Sequence, residues 1–373
     1  MKKLGLLEVL EGIDDTRRSR SVIYPLEEVL FIMLVAVICG ATSYVKVEMF
    51  GKSKESWFKK YLKLEYGIPD ACTFRNVIKE IDTAKLHEFF CDWMHRVVSS
   101  VGGVVAIDGK QARRTKDSEN RPLHVVSAFS SEAHLVLGQL ACEEKSNEIT
   151  AIPKLLEMLE IKGCIVTIDA MGTQTQIAQK IVERGADYIL ALKSNQPTLC
   201  QDVQLYMQDY IQTKDIQKTS FYHKTVDKDH GRIETRECYI SEDIGWLSSR
   251  DKWENLNGIG VIISKTEQSG VVSFQSNYFI YSCKGLSAEQ IMRSKREHWA
   301  IENSLHWVLD MQFREDESRA RRDNSAENLN VLRHMAYNIL KADSSVKGSF
   351  SDKQFRCILD DSYLERILLN FCS

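Results

Sequence analysis

At Gly102-Gly103 the chain changes its hydrophobic period, and no other feature narrows the possible folds as much. Before that point, "PLEEVLFIMLVAVICGATS", "VEMFGKSKESWFKKYLKL" and "AKLHEFFCDWMHRVVSSV" place apolar residues at helical spacing, and "GIPDACTFRNVIKEID" adds a Pro-Asp turn and a shorter helix. After it, "GVVAIDGK", "HVVSAFSS" and "LVLGQLACEE" read as three strands. A helix ("EITAIPKLLEMLEIKG"), a strand ("CIVTIDA"), a helix ("TQTQIAQKIVERG") and a strand ("DYILALK") follow. The order β-β-β-α-β-α-β predicts an α/β domain, a mixed sheet flanked by helices.

From Pro197 to about residue 285 the alternation stops. The segments "TRECYIS", "GIGVIISKTE" and "SFQSNYFIYSC" read as strands without long helices between them, which predicts a β-rich insertion. Two amphipathic helices come next, "REHWAIENSLHWVLDMQF" and "NSAENLNVLRHMAYNILK". The expected organisation is a helical N-terminal domain (residues 1–100), an α/β catalytic domain (101–342) with the insertion at about 197–285, and a C-terminal tail (343–373) with one helical stretch near "SYLERILLNF".

Several classes are disfavoured by what is missing. The ten cysteines contain no C-x-x-C pair, so neither a zinc ribbon nor a thioredoxin-like motif is present, and reduced thiols in a cytoplasmic protein are expected. The apolar run Val29–Ala41 is shorter than the roughly 20 residues of a membrane helix and lies behind "DDTRRSR", unlike a signal peptide. It reads as a buried core helix, and no membrane partner is expected. No G-x-G-x-x-G follows a strand, so no dinucleotide or other organic cofactor is expected. The formal charge of −3 gives no global nucleic-acid signature, so DNA binding has to rest on local patches.

Two apolar strands end in an acid: "VVAID" at Asp108 and "CIVTID" at Asp169. Functional groups in α/β sheets gather beyond the carboxyl ends of strands. Taken singly, each is better read as structural, a turn residue or a helix cap. Glu302 changes the balance. On a regular helix it shares a face with His298, Leu305, His306, Leu309 and Phe313, with Trp299 close by, and that face is expected to enter the core. An unpaired buried carboxylate costs several kcal/mol, so Glu302 needs Lys295, His298 or a cation. Three carboxylates from two strands and a helix, meeting at one sheet edge, would suit Mg²⁺, with Mn²⁺ as substitute. Two such ions roughly 4 Å apart serve phosphodiester chemistry. His298, Glu302 and His306 also form an i, i+4, i+8 stripe, but no single zinc ion reaches all three.

The fragments "AIDGKQARR", "TIDAMGTQ", "ALKSNQ", "HGRIETR" and "REHWAIENSLHWVLDMQFREDESRARR" occur in the order seen in DDE transposases of bacterial insertion sequences, and the chain most resembles the H-repeat-associated group. The resemblance covers nearly the whole chain. It implies an RNase H-like core in which Asp108, Asp169 and Glu302 are the D, D and E of the triad. It also implies metal-dependent hydrolysis at element ends followed by strand transfer, double-stranded DNA (ends and target) as partner, and a homodimer on DNA. The long spacing between Asp169 and Glu302 matches relatives that carry a β-rich insertion there. One departure stands out: the Y-x-x-R-x-x-x-E-x-x-x-x-x-x-K signature of many relatives reads Lys295, His298, Glu302 and Leu309 here. His298 becomes the candidate for part of the missing arginine's role.

Phosphate contacts come from Lys, Arg and polar donors. The candidates are Lys110, Arg113, Arg114 and Lys116 after the first aspartate, and Lys193, Asn195 and Gln196 at a strand end. His230, Arg232 and Arg236 follow in the insertion, then His298 and Trp299 on the Glu302 helix, and Arg319, Arg321 and Arg322 beyond it. An RNase H-like nuclease without strand transfer and an inactive DNA-binding transposon relic remain as alternatives. The N-terminal helices are open to two roles, binding element ends or dimerisation.

Overall fold

The most apolar stretch, Leu26–Ile38, forms helix α2, preceded by α1 (Gly5–Leu10), in a computed structural model. The described residues are all except 1–4, 14, 16, 18–21, 99–100, 118, 143–147, 214–218, 230, 372 and 373. Every α2 residue but Glu27 is buried. The one buried acid, Glu28, accepts backbone N–H groups from Lys63 and Leu64 at 2.9 and 3.3 Å, which offsets its loss of water. Helices α3 (Tyr44–Ser53), α4 (Glu55–Phe58), α5 (Ala71–Glu80) and α6 (Thr83–Val97) add to the same core. Ser43, Asp70 and Asp82 cap α3, α5 and α6 by accepting first-turn N–H groups.

The sheet begins with β1 (Val104–Ala112), β2 (Leu123–Ser130) and β3 (Leu135–Cys142), paired antiparallel. Helix α7 (Glu148–Met158) leads to β4 (Ile165–Ile168), and α8 (Thr175–Glu183) to β5 (Asp187–Leu192). Strands β1, β4 and β5 run parallel, and the order 3-2-1-4-5 is that of an RNase H-like sheet. Strands in such a parallel centre are buried on both faces, which is why they read as apolar runs. Val105, Ile107, Val166 and Ile168 join α7 and α8 in one core, whereas Ala106 on the opposite face joins the helical core around α2.

The region after β5 differs from the expected insertion in two respects. It opens with a 17-residue helix, α9 (Pro197–Thr213), and it contains a strand not foreseen, β6 (Tyr222–Asp229), ahead of β7 (Arg232–Ser241), β8 (Gly258–Gln268) and β9 (Val271–Tyr281). Strand β6 is mostly exposed and charged, so it lacks an apolar alternation to read. The four strands also extend the main sheet, because β9 pairs antiparallel with β5, giving nine strands in the order 3-2-1-4-5-9-8-7-6.

Helix α10 (Ala288–Glu297) then returns across the sheet, followed by a π-helical turn (Ile301–His306) and the short α11 (Trp307–Met311). Helix α12 (Ser325–Ala342) is pinned to β3 by Asn338, whose amide both donates to and accepts from the Val136 backbone. The expected C-terminal tail is instead two capped helices, α13 (Phe350–Leu359) and α14 (Asp361–Asn370). Their residues Cys357, Tyr363, Leu364, Ile367 and Leu368 are buried in the same core as Leu6 and Leu10 of α1. The nine described cysteines are free thiols. Among the described residues no helix is long and apolar enough to cross a membrane.

Candidate active site

Strand register brings the first two acids together. Val104 to Ile107 of β1 pair in parallel with Ile165 to Ile168 of β4, so Asp108 and Asp169 are the next residues on two adjacent strands. Neighbouring strands lie about 4.8 Å apart, and paired residues point to the same face. That face carries Thr167, whose Oγ1 is 3.0 Å from His298 Nδ1. It is therefore the face covered by α10 and the π turn, which carry Glu302 to the same place. Asp108, Asp169 and Glu302 all line one cleft of about 310 Å³.

Glu302 does not enter the core as the helical wheel predicts. The predicted continuous helix breaks at His298-Trp299 and resumes as a π turn in which the Trp307 N–H bonds to the Glu302 carbonyl. The wider turn keeps Ile301, Leu305, Leu309 and Phe313 buried while Glu302 turns out into the cleft, exposed. Trp299 and Trp307 lie on the solvent side, each about half exposed.

The electrostatics of the cleft centre on Asp108. Burial, then the nearby charges of Asp169, Glu302 and Glu148, push its pKa up to about 7, against one lowering contact from the Gly109 backbone N–H. Glu148 approaches because residue 109 has no side chain: a Cβ there would collide with Glu148 and with His124. Those two form a buried pair, His124 Nε2 to Glu148 Oε1 at 2.5 Å. His306 Nδ1 lies 3.6 Å from Asp108 Oδ2. Burial, helped by the Lys110 charge, holds the His306 pKa at about 4, so near neutral pH its imidazole is uncharged. Burial and the adjacent Lys295 likewise hold His298 at about 3. With that pKa the His298 imidazole is uncharged near neutral pH, and the part of the missing arginine's role for which it is the candidate would be that of a neutral hydrogen-bonding group.

Asp169 is held by its own loop, with Oδ1 accepting the Met171 and Gly172 N–H groups at 3.0 and 3.2 Å. Asn195 and Gln196, expected at DNA, brace that loop. Asn195 Nδ2 donates to the Ala170 and Thr173 carbonyls, and Gln196 Nε2 donates to Thr173 O at 3.1 Å. With Asp169 in the DNA cleavage that the family resemblance implies, Asn195→Ala is expected to lower that cleavage about 10–100-fold, as losing a supporting hydrogen bond behind such a carboxylate typically does. Single-turnover rates at saturating DNA would show it, with duplex affinity little changed.

The other residues expected at DNA are dispersed. Lys193, Arg236, His298 and Trp299 line the cleft. Arg236 is buried there and spoken for, bound by Asp227 at 2.5 Å and Glu234 at 2.6 Å. Lys110 is a correction: its ammonium is buried among Asp310, Glu315 and Asp316 at 2.7, 2.8 and 3.8 Å, facing away from solvent. Arg113, Arg114, Lys116, Arg321 and Arg322 are exposed outside the cleft, with Arg113 paired to Asp316 and Arg321 donating to the Arg114 carbonyl. Arg232 pairs with Glu234, and Arg319 lines a separate cleft. His230 lies outside the described residues.

Two cleft cations were not singled out from sequence as DNA contacts. Lys295 lies deep in the cleft, its pKa pushed down to about 8 by burial and then by Lys193, and Arg296 is exposed at the cleft. The basic "SKRE" was their only signal, and surface helices commonly carry such residues.

Among the described residues no three His, Cys, Asp or Glu side chains stand close enough to share one ion. The expected convergence is thus onto one cleft and not onto one point. The donor chemistry still suits a hard divalent cation: the set is oxygen only, and Asp108 is kept near neutrality by burial and negative neighbours that a cation would offset.

The sheet order and helices define an RNase H-like α/β protein, and comparison with known families agrees with it. The family model described as "Transposase DDE domain" matches residues 99–339, and the one described as "DDE_Tnp_1-associated" matches residues 7–94. The chain belongs to the DDE transposase family. It is 37% identical to "H repeat-associated putative transposase YhhI" of Escherichia coli K12, over 99% of this chain and 98% of that protein. It is also 37% identical to "Putative transposase YncI" of Escherichia coli O157:H7, over 99% of this chain and 95% of that one. A cryo-EM structure of a piggyBac transposase synaptic complex with hairpin DNA aligns with a TM-score of 0.45 at 10% identity, over 97% of this chain and 77% of that chain.

Proposed function

We propose that the protein is the transposase of a bacterial insertion sequence, hydrolysing a phosphodiester at each element end and joining the freed 3′-hydroxyl to target DNA. The observation that carries this reading is the placement of Asp108, Asp169 and Glu302 on one cleft from two neighbouring parallel strands and a helix. These three residues would hold divalent metal, two Mg²⁺ ions with Mn²⁺ as substitute. When bound, such ions lower the pKa of the attacking oxygen and stabilise the leaving one.

The chain's own residues orient the substrate. Lys193, Lys295 and Arg296 offer positive charge to the phosphates of double-stranded DNA along the cleft. Exposed Arg114, Lys116 and Arg321 extend that charge outside it. Trp299, half exposed at the cleft, offers a ring on which a base can stack. The neutral His298 holds the helix against Thr167 and positions Glu302 four residues on. Two copies on one element, one per end, are the natural working assembly.

The test searches the DNA flanking the gene for inverted repeats and uses duplexes carrying them, both intact and pre-cut, with Mg²⁺ or Mn²⁺. The expected result is a nick at the repeat boundary and joining of pre-cut ends to a second duplex. Nicking without joining would mark a nuclease, and metal-dependent activity undiminished in Asp169→Ala would overturn the site.

A further inference from the structure

A second cleft, of about 350 Å³, lies where the N-terminal helices meet the segment after α11. Its walls come from α2, α3 and α5 on one side, and from Glu317–Ala320 and α12 on the other. Three guanidinium groups line it: Arg75, Arg319 and Arg333. Arg75 lies over the Tyr44 ring, 5.8 Å from its centroid, which holds that side chain at the cleft wall. Among the described residues Glu317 is the one acid in the lining, and Arg314 occupies it at 2.8 Å.

Arg333 is the informative member. It is only 7% exposed, and its nearest carboxylate, Glu315, stands 4.0 Å away. Glu315 is already engaged by Lys110 at 2.8 Å and Asn330 at 2.5 Å. At 4.0 Å the Arg333–Glu315 ion pair is beyond hydrogen-bond distance, so it leaves the guanidinium N–H donors of Arg333 open to a ligand in the cleft. Guanidinium forks match the oxygens of a phosphate two at a time, and a cluster of three suits an anion with several oxygens.

We infer that this cleft grips a backbone phosphate of duplex DNA, away from the carboxylates, so that the N-terminal helices and the catalytic part hold the same duplex. The inference rests on DNA being the substrate, as proposed above. The cleft is tied to the candidate active site through one buried chain of contacts, from Arg333 to Glu315 to Lys110, two residues beyond Asp108 on β1.

The experiment measures binding of the full-length protein to a 5′-labelled duplex of arbitrary sequence by anisotropy, across a salt series. Arg75→Gln, Arg319→Gln and the double variant are compared with wild type, with Arg75→Lys and Lys193→Gln as controls. Losing this one phosphate contact is expected to make the log affinity against log salt slope shallower by about 1 in the double variant, with each single variant in between, and to weaken the double variant's binding about tenfold or more at low salt. Arg75→Lys should keep most of the slope, and melting temperatures should match wild type. Wild-type slope and affinity in the double variant, with loss in Lys193→Gln, would overturn this site and leave the DNA reading standing. A wild-type protein that fails to bind duplex at all would overturn both. Orthophosphate that raises the melting temperature of wild type but not of the double variant, while DNA binding is equal in the two, would assign the cleft to free phosphate and overturn the inference.

Discussion

Asp108→Asn is expected to abolish DNA cleavage and at the same time to make the metal-free protein more stable at pH 8. The Asp108 pKa is pushed from 3.8 to about 7, first by burial and then by Asp169, Glu302 and Glu148. A carboxyl raised in this way binds its proton more tightly in the folded state than in the unfolded one. Folding stability therefore falls as pH rises from about 4 to about 7 and stays low above that. The full effect is on the order of 4 kcal/mol, treated as an upper limit because the side chain is 20% exposed. Asn carries no charge at any pH, so the gain should be small at pH 4 and large at pH 8. Denaturant unfolding in chelator at both pH values checks this, and a gap independent of pH would contradict it. Cleavage should fall by on the order of 10³-fold or more, since in the proposed metal-holding triad Asp108 would support several kcal/mol of transition-state stabilisation.

The second large effect is structural. Glu315→Ala removes the centre of a buried network and leaves Lys110 and Arg333 without their closest shared counter-charge. Breaking a buried pair from one side typically costs about 3–5 kcal/mol, because the remaining charge stays desolvated. Burial alone would raise the Glu315 pKa, but Lys110, Arg333 and His334 outweigh it and hold it at about 2. The sign is opposite to that of Asp108. The stabilisation is complete above the unfolded value of 4.5 and is lost as pH falls through about 2. Wild type should thus lose stability between pH 4.5 and 2 more steeply than Glu315→Ala, which has already lost that contribution. Parallel acid-unfolding curves for the two proteins would contradict this. Cleavage should also suffer, since Lys110 lies on β1 two residues from Asp108.

The two strand-end acids were legible in sequence because a parallel strand buried on both faces stands out as an apolar run, and its last residue stands out with it. "VVAID" and "CIVTID" carried their own end markers, and register did the rest. Glu302 was found for a partly wrong reason. A wheel with 3.6 residues per turn turned it into the core, whereas the break at His298-Trp299 and the π turn rotate it into the cleft. No local pattern announces such a change of helical pitch. Lys110 was misread because its partners, Asp310 and Glu315, are some two hundred positions away in the chain. That the amides of Asn195 and Gln196 hold the Asp169 loop is not legible in the sequence, because it is set by how β4 and β5 end side by side. Helix α9 and strand β6 escaped notice because neither carries a strong apolar period.

The most direct measurement is Mn²⁺ binding followed by electron paramagnetic resonance, with wild type, Asp108→Ala, Asp169→Ala and Glu302→Ala compared in the presence of duplex DNA. Saturable binding in wild type that weakens at least about tenfold in each single variant, with the folded state intact by circular dichroism, is the expected result. Equal Mn²⁺ binding in wild type and all three variants would contradict the assignment of Asp108, Asp169 and Glu302 as the metal-holding triad.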